Sequence, residues 1–176
     1  NLEKNVWRGY SDTEVLIEGW NTWGVNMLDK IDGMFAFAIW DKLEKKLFAA
    51  RDRVGEKPFY YFWDGIHFIF ASRPTPILNM YPEISTDYDE QALRLYLESG
   101  YIPAPLSIFK KIRKLKSAHY LQVDKNGINE TPYWNLCNIE PNNSLKKRKE
   151  EDLVDELDEL LSRSVKKRMV SDVPLG

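Results

Sequence analysis

Apolar residues recur at helical spacing in the first part of the chain. The positions that share one side of a helix are Val15, Leu16, Trp20 and Trp23. Ser11 or Asp12 can cap such a helix, and Gly24 is a suitable stop because glycine readily takes left-handed backbone angles. The pattern predicts a helix over Ser11–Trp23, followed by a shorter helix over Val25–Ile31.

From residue 34 the pattern changes to that of β-strands. Short apolar runs, separated by charged or glycine-containing turns, predict strands over residues 34–40, 47–51, 59–63 and 67–71. A later hairpin is predicted over residues 120–123 and 128–134. Because the earlier strands are apolar on both sides, both faces of the sheet are predicted to be covered, as in a layered sandwich.

The rest of the chain alternates breaks with helices. Pro74 and Pro76 predict a break after the fourth strand, and Asp89–Ser99 is predicted to be a helix that ends at Gly100. Residues 138–149 are polar and typical of a linker. A last helix is predicted from Glu150, with a buried stripe at Leu153, Leu157, Leu160, Leu161, Val165 and Met169. The predicted fold class is α+β, with a layered piece over residues 1–80 and a connecting piece over 81–176 that ends in a helix opening another domain.

Composition and charge are those of a folded globular domain. The chain has 176 residues, of which 43% are hydrophobic and 30% charged, and its net charge is -2. Nucleic acid binding is not expected, since the basic run 146–149 is followed at once by three acids. No apolar run approaches the roughly 18 residues of a membrane helix. The single cysteine, Cys137, rules out an intramolecular disulfide and favours a cytoplasmic protein.

No local catalytic pattern stands out by itself. His67 and His119 lack metal-ligand spacing and are interpreted as ordinary strand or surface residues. Cys137 lies in a polar stretch without a nearby histidine, so a spare thiol explains it better than a nucleophile. Asp155 and Glu156 fall on the outer side of the last helix, where solvation explains them. The sequence contains no glycine loop that would cradle a phosphate.

Two features allow both a structural and a functional interpretation. The segment Arg51–Pro58 places five charged residues between two strands, and its Arg and Asp side chains can brace neighbouring turns. Asp12 stands at a predicted helix start, where an acid is stabilising without any ligand. The same carboxylate could instead be reserved for the cationic amino group of a ligand. The residues alone leave both questions open.

Five motifs follow one another in a recognisable order. The first three are Tyr10–Val15, Asp32–Ala38 and Arg51–Tyr61. The fourth comprises Tyr101–Pro105, Ile108–Ile112 and His119–Leu121, and the fifth is Arg168–Gly176. Together they resemble the class II glutamine amidotransferases, in particular the asparagine synthetase branch. The fifth resembles the lead-in to the Ser-Gly-Gly-x-Asp-Ser pyrophosphate loop of the synthetase domain, so the resemblance covers essentially the whole chain.

The resemblance implies an N-terminal-nucleophile fold, incomplete here, in which two antiparallel sheets pack between helices. It implies a cysteine at the mature N-terminus that attacks the glutamine side-chain amide and releases ammonia. The ammonia would pass through a tunnel to a second domain, where ATP and Mg²⁺ activate aspartate as an acyl-adenylate that ammonia converts to asparagine. Residues 1–80 would then be the C-terminal part of the amidotransferase domain, 81–149 its remainder and the connection, and 150–176 the start of the ATP-dependent synthetase domain.

By the same resemblance, Asp12 is the one residue that falls on a ligand-binding position, where it would help to hold the α-amino group of glutamine. Met34 and Phe35 would lie behind that site and shape it, and the Arg51–Pro58 turn would brace the domain near the interdomain face. The nucleophile is expected before Asn1 and the pyrophosphate loop after Gly176. The chain is therefore expected to be a fragment cut at both ends, inactive alone and without catalytic, cofactor-binding or metal-binding residues.

One segment departs from the family pattern. Where the family usually continues with Glu and then Ile-Lys-Ala, this chain reads Arg73-Pro74-Thr75-Pro76, which indicates altered interdomain contacts or a divergent subfamily. Two alternatives stay open: a related ATP-dependent amidotransferase acting on another carboxylate, such as an acidic sugar, and a non-catalytic amidotransferase-like domain. The expected partners are glutamine and aspartate, with no nucleic acid and no membrane, and a homodimer is allowed.

Overall fold

A computed structural model describes residues 9, 11–140 and 148–169. These residues form two compact units, which fall within residues 1–134 and 135–176. The strands are β1 (Ala36–Asp41), β2 (Lys46–Arg51), β3 (Tyr60–Trp63), β4 (Phe68–Ala71), β5 (Ile112–Lys114), β6 (His119–Asp124) and β7 (Gly127–Pro132). The α-helices are α1 (Asp12–Trp23), α2 (Pro74–Met80), α3 (Glu90–Ser99) and α4 (Glu150–Arg168), and short 3-10 helices cover Gly24–Asp29 and Leu136–Asn138.

Helix α1 begins and ends where the sequence predicts. The Ser11 side chain accepts a hydrogen bond from the backbone N–H of Thr13, and Gly24 ends the helix with a φ of 55°. Its apolar side packs on the first sheet, with the rings of Trp20 and Phe48 4.5 Å apart. Gly19 is buried where α1 contacts the 3-10 helix that follows, and a Cβ atom there would lie 3.4 Å from the Met27 methyl group.

The first sheet is antiparallel and has the strand order β1-β2-β6-β7. Its second strand, β2, is apolar on both sides, and Phe48, Ala49 and Ala50 are all buried. Phe48 and Ala50 pack in the cluster that holds α1, whereas Ala49 packs in a second cluster with Tyr61 of β3. The prediction that both faces are covered is confirmed for this strand.

The second sheet is also antiparallel, with the strand order β4-β3-β5. Tyr61 faces the first sheet, and its neighbour Phe62 packs on the opposite side in a cluster with Ile77 of α2. The first unit is therefore α+β, with two antiparallel sheets face to face, α1 outside one and α2 outside the other. Strands β5 and β6, from the predicted segment 81–149, pair with β3 and β2 of the predicted segment 1–80. The functional division at residues 80 and 149 stays a prediction.

Helix α2 and strand β5 are absent from the predicted elements. The strand does end before Pro74, but a helix, α2, starts at that residue. Proline fits the first turn of a helix, because its missing N–H would have no partner there and its φ is already helical. Strand β5 has three residues, two of them basic, and is too short for an alternating pattern to reveal it.

Helix α4 forms as predicted, but its apolar stripe is not buried. No residue of α4 is buried in the structure, and Leu157, Leu161 and Val165 are more than half exposed. The prediction of a buried stripe is therefore wrong for the described residues. Helical periodicity defines an apolar face but does not supply the surface that would cover it.

A polar cluster joins the two sheets of the first unit. The Tyr61 hydroxyl donates to Glu130 Oε2 over 3.3 Å, and Lys116 Nζ lies 3.5 Å from Glu130 Oε1. Burial raises the pKa of the Tyr61 phenol to about 12, and the nearby Glu130 carboxylate adds to the effect. Burial likewise raises the pKa of Tyr133 to about 12. Folding therefore favours the neutral phenols.

We expect the free energy of unfolding to fall as the pH rises from about 10 to 12. An unfolded tyrosine releases its proton near pH 10, whereas the folded Tyr61 keeps its proton until about pH 12. The stabilisation is thus complete below pH 10 and lost across this window. Urea unfolding of Tyr61→Phe should show a shallower decline than the parent chain, while Tyr88→Phe, an exposed control, should not. An equally steep decline in Tyr61→Phe would refute this assignment.

Candidate functional site

Asp12 is the first residue of α1 and is exposed. Ser11 Oγ donates to Asp12 Oδ1 over 3.4 Å, and the Ser11 side chain also receives the Thr13 N–H, 3.2 Å away. The carboxylate of Glu14, in the same first turn, accepts the backbone N–H of Gly9 over 2.9 Å. Two acids therefore stand in the first helical turn, where the exposed N–H groups of the helix favour negative charge.

An open groove begins next to Asp12, between α1 and the edge strand β1. Its volume is about 590 Å³, and its helix wall starts at Thr13 and continues through Leu16, Ile17, Trp20 and Asn21. The strand wall runs from Phe37 to Leu43 and is mostly apolar. Asp12 is not among the described residues that line this groove. Of the two residues predicted to lie behind the site, Phe35 packs in the same cluster as α1 and Met34 is partly exposed. Their roles toward a ligand stay predictions.

The Arg51–Pro58 turn is organised around one buried carboxylate. Asp52 is 1% exposed, and its Oδ1 accepts the backbone N–H groups of Val54 and Glu56 over 3.2 and 2.9 Å. Its Oδ2 accepts the backbone N–H of Lys57 over 2.9 Å. A single side chain thus satisfies three backbone donors of the turn and fixes its course.

Arg51 binds two carbonyl groups of the same turn and one from a distant segment. Its guanidinium donates to the backbone oxygens of Lys57, Gly55 and Leu115 over 2.7, 2.6 and 2.7 Å. Gly55 has a φ of 73°, which side-chain-bearing residues rarely adopt. A Cβ atom there would also lie 3.0 Å from the guanidinium carbon of Arg51, so both backbone conformation and space favour glycine. Burial lowers the pKa of Arg51 without removing its charge, since the ordinary value of 12.5 is far above neutral pH.

Arg53 ties the turn to the helical layer. Its guanidinium donates to the carbonyl oxygens of Ile31 and Leu28 over 2.8 and 3.2 Å and lies over the ring of Tyr133. The Tyr133 hydroxyl in turn donates to the backbone oxygen of Arg51 over 2.8 Å, across 82 residues of sequence. The interpretation of this charged cluster as a brace is confirmed. Its predicted place near an interdomain face stays a prediction.

The other polar residues considered in the sequence have ordinary surroundings. His67 Nδ1 lies 3.0 Å from Asp64 Oδ2, and His119 Nδ1 lies 2.8 Å from the backbone oxygen of Ser117. Cys137 is an exposed free thiol. Asp155 and Glu156 are exposed on α4, and Glu156 pairs with Arg148. Across the described ranges, no three His, Cys, Asp or Glu side chains are grouped as metal ligands. Nor does any helix in those ranges have the length and hydropathy needed to cross a bilayer.

Comparison with known proteins gives the chain a family. A sequence model described as "Glutamine amidotransferase domain" matches residues 1–134. The chain is 37% identical over 166 residues to asparagine synthetase (glutamine-hydrolyzing) 3 of Bacillus subtilis, covering 94% of this chain and 26% of that protein. It is also 41% identical over 170 residues to a Methanocaldococcus jannaschii protein, covering 94% of this chain and 32% of that protein. That protein carries the provisional name asparagine synthetase (glutamine-hydrolyzing) 2. The chain thus spans about a quarter to a third of the length of these curated relatives.

Proposed function

The chain belongs to the glutamine amidotransferase domain family, and we propose that it is part of an enzyme that takes ammonia from glutamine and gives it to an ATP-activated aspartate. The observation that carries this proposal is the family match over residues 1–134, joined to relatives named as glutamine-hydrolyzing asparagine synthetases. Glutamine and aspartate are accordingly the proposed substrates. The proposed location is the cytoplasm.

The proposed fold type is the N-terminal-nucleophile sandwich. Two antiparallel sheets packed face to face, with α1 and α2 on their outer sides, support it. In this proposal the described residues provide the rear of the glutamine domain. The Arg51–Pro58 turn would hold the sheets against the helical layer that carries Asp12.

We assign the binding of the glutamine α-amino group to Asp12. An α-ammonium group carries three N–H donors and a positive charge, so an exposed carboxylate is a suitable partner. The position at the start of α1 supports the assignment because the Ser11 cap fixes the backbone that carries the Asp12 side chain. The Asp12 side chain is exposed and a groove begins at the next residue, Thr13, so a small ligand can reach the carboxylate.

ATP and Mg²⁺ are proposed for the longer protein and not for this part of it. The described residues do not offer a group of three acidic or histidine ligands that would suit a divalent ion. We therefore assign the nucleotide and its metal to a part of the longer protein outside the described residues.

A product assay on the longer protein tests the proposed function. With glutamine, aspartate, ATP and Mg²⁺, we expect glutamate and asparagine to accumulate together. Omission of aspartate should abolish asparagine formation, and ammonium salts should replace glutamine as nitrogen source. A protein that makes asparagine from ammonia but releases no glutamate from glutamine would contradict the proposal, as would a failure to aminate aspartate by either route.

A further inference from the structure

Ser11 has a defined position at the start of α1. Its backbone is extended, with a φ of -89° and a ψ of 139°, and its side-chain oxygen accepts the Thr13 N–H over 3.2 Å. Its backbone oxygen accepts the Glu14 N–H, also over 3.2 Å. The Glu14 carboxylate holds the preceding part of the chain through the N–H of Gly9, 2.9 Å away. Both the backbone and the hydroxyl oxygen of Ser11 are therefore held in place.

The Ser11 hydroxyl also contacts the Asp12 carboxylate. A hydroxyl has one donor and two acceptor sites, and the Thr13 N–H occupies one of the acceptor sites. The donor goes to Asp12 Oδ1, 3.4 Å away. Asp12 Oδ2 forms no hydrogen bond with the other residues that the structure describes. One oxygen of the carboxylate is thus tied to the helix start, and the other can accept a donor from a ligand.

Capping of α1 does not by itself explain a serine at position 11. Aspartate caps a helix as well as serine does, and replacing a serine cap by glycine costs little. What distinguishes serine from both is a hydroxyl proton, since a carboxylate only accepts hydrogen bonds and glycine has no side chain. Ser11 therefore caps α1 through its acceptor site and holds the Asp12 carboxylate through its donor at the same time.

We propose that Ser11 is a positioning residue for the binding of the glutamine α-amino group. It acts by holding the Asp12 carboxylate in one orientation, so the inference rests on the binding role proposed for Asp12. An exposed carboxylate loses conformational freedom when a ligand binds to it, and a bond made beforehand lowers that cost. The separation of 3.4 Å is long for a hydroxyl donor, but such bonds in ligand-free sites often shorten when the ligand is in place.

The test compares glutamine with 4-carbamoylbutanoate, which lacks only the α-amino group. The preference of the longer protein is the ratio of the two kcat/KM values for ammonia release. Ser11→Gly removes the hydroxyl and keeps most of the capping, so this preference should fall about three- to tenfold. Ser11→Thr retains the donor and the cap and should keep the preference of the parent. An unchanged preference in Ser11→Gly, or an equal loss of kcat/KM for both substrates, would overturn the proposal.

Ser85→Gly is the matched control for loss of a serine hydroxyl. Ser85 Oγ also accepts the backbone N–H two residues further on, that of Asp87, over 3.2 Å, but it lies outside α1. This variant should keep the preference of the parent. A loss as large as that of Ser11→Gly would refute a specific role for Ser11.

An Asp12→Ala background separates the role of Ser11 from that of Asp12. Without the carboxylate, Ser11→Gly should no longer lower kcat/KM for glutamine, because Ser11 acts only through Asp12. A further threefold or greater loss in that background would contradict the inference. If Asp12→Ala itself keeps the preference of the parent, the binding role of Asp12 fails and this inference fails with it. If Asp12→Ala loses the preference and Ser11→Gly keeps it, only the role of Ser11 is wrong.

Discussion

Replacing Asp52 by alanine should lower the free energy of unfolding by about 3–4 kcal/mol, a large part of the 5–15 kcal/mol typical of a domain. The carboxylate is 1% exposed and accepts three backbone N–H groups of the Arg51–Lys57 turn. Its removal leaves these donors without their partner and frees the turn that Arg51 holds through carbonyl groups. Urea unfolding followed by tryptophan fluorescence measures the loss.

Asp52→Asn should not rescue the turn. Both carboxylate oxygens accept N–H groups, so an asparagine side chain places its own NH₂ against a backbone N–H in either orientation. Asp41→Ala is the matched control, because Asp41 also accepts two backbone N–H groups but in the exposed β1–β2 turn. Its loss should cost about 1 kcal/mol or less. If Asp52→Ala and Asp41→Ala cost the same, the turn is not the brace described here.

Replacing Asp12 by asparagine in the longer protein should lower kcat/KM for glutamine by about ten- to a hundredfold. A hydrogen bond to a charged group is worth about 1.5–3 kcal/mol, and each 1.4 kcal/mol corresponds to a factor of ten. Activity with ammonia as nitrogen source should stay near the parent value, because ammonia does not need the glutamine site. Steady-state rates with both nitrogen sources give the comparison.

Glu90→Gln is the control for a change of charge at a helix start. Glu90 is the first residue of α3, as Asp12 is of α1, and both are exposed acids in a first helical turn. The two substitutions therefore have the same small effect on helix stability. Equal losses with glutamine and ammonia in Asp12→Asn, or a Glu90→Gln variant as impaired as Asp12→Asn, would show that the effect is structural.

Local signals predicted the parts of the fold that depend on neighbouring residues. The Ser11 cap, the Gly24 and Gly100 stops and the hairpin of β6 and β7 act over a few residues and are confirmed. The bond from Tyr133 to the Arg51 backbone spans 82 residues and follows from the pairing of strands, which no local pattern reveals. The stripe of α4 is a similar case. The spacing of its apolar residues predicts that one side of the helix is apolar, but it does not predict which surface covers that side.

The candidate site could be predicted only through the family resemblance. Asp12 and Glu90 are indistinguishable by local chemistry, since each is an exposed acid at the start of a helix with a side-chain cap before it. The charged Arg51–Pro58 segment, by contrast, looked equally suited to a site and to a brace, and its buried Asp52 settles it as a brace. A carboxylate that is buried and accepts three backbone N–H groups holds the turn and is shielded from a ligand in solution.

The most direct test of the central claim compares glutamine with 4-carbamoylbutanoate, which keeps the side-chain amide and the carboxylate but lacks the α-amino group. The parent enzyme should prefer glutamine by about ten- to a hundredfold in kcat/KM for ammonia release. Asp12→Asn should lose nearly all of this preference, because the group that distinguishes the two substrates is the one that Asp12 is proposed to hold. A preference as large in Asp12→Asn as in the parent would contradict the assignment of Asp12 to the α-amino group of glutamine.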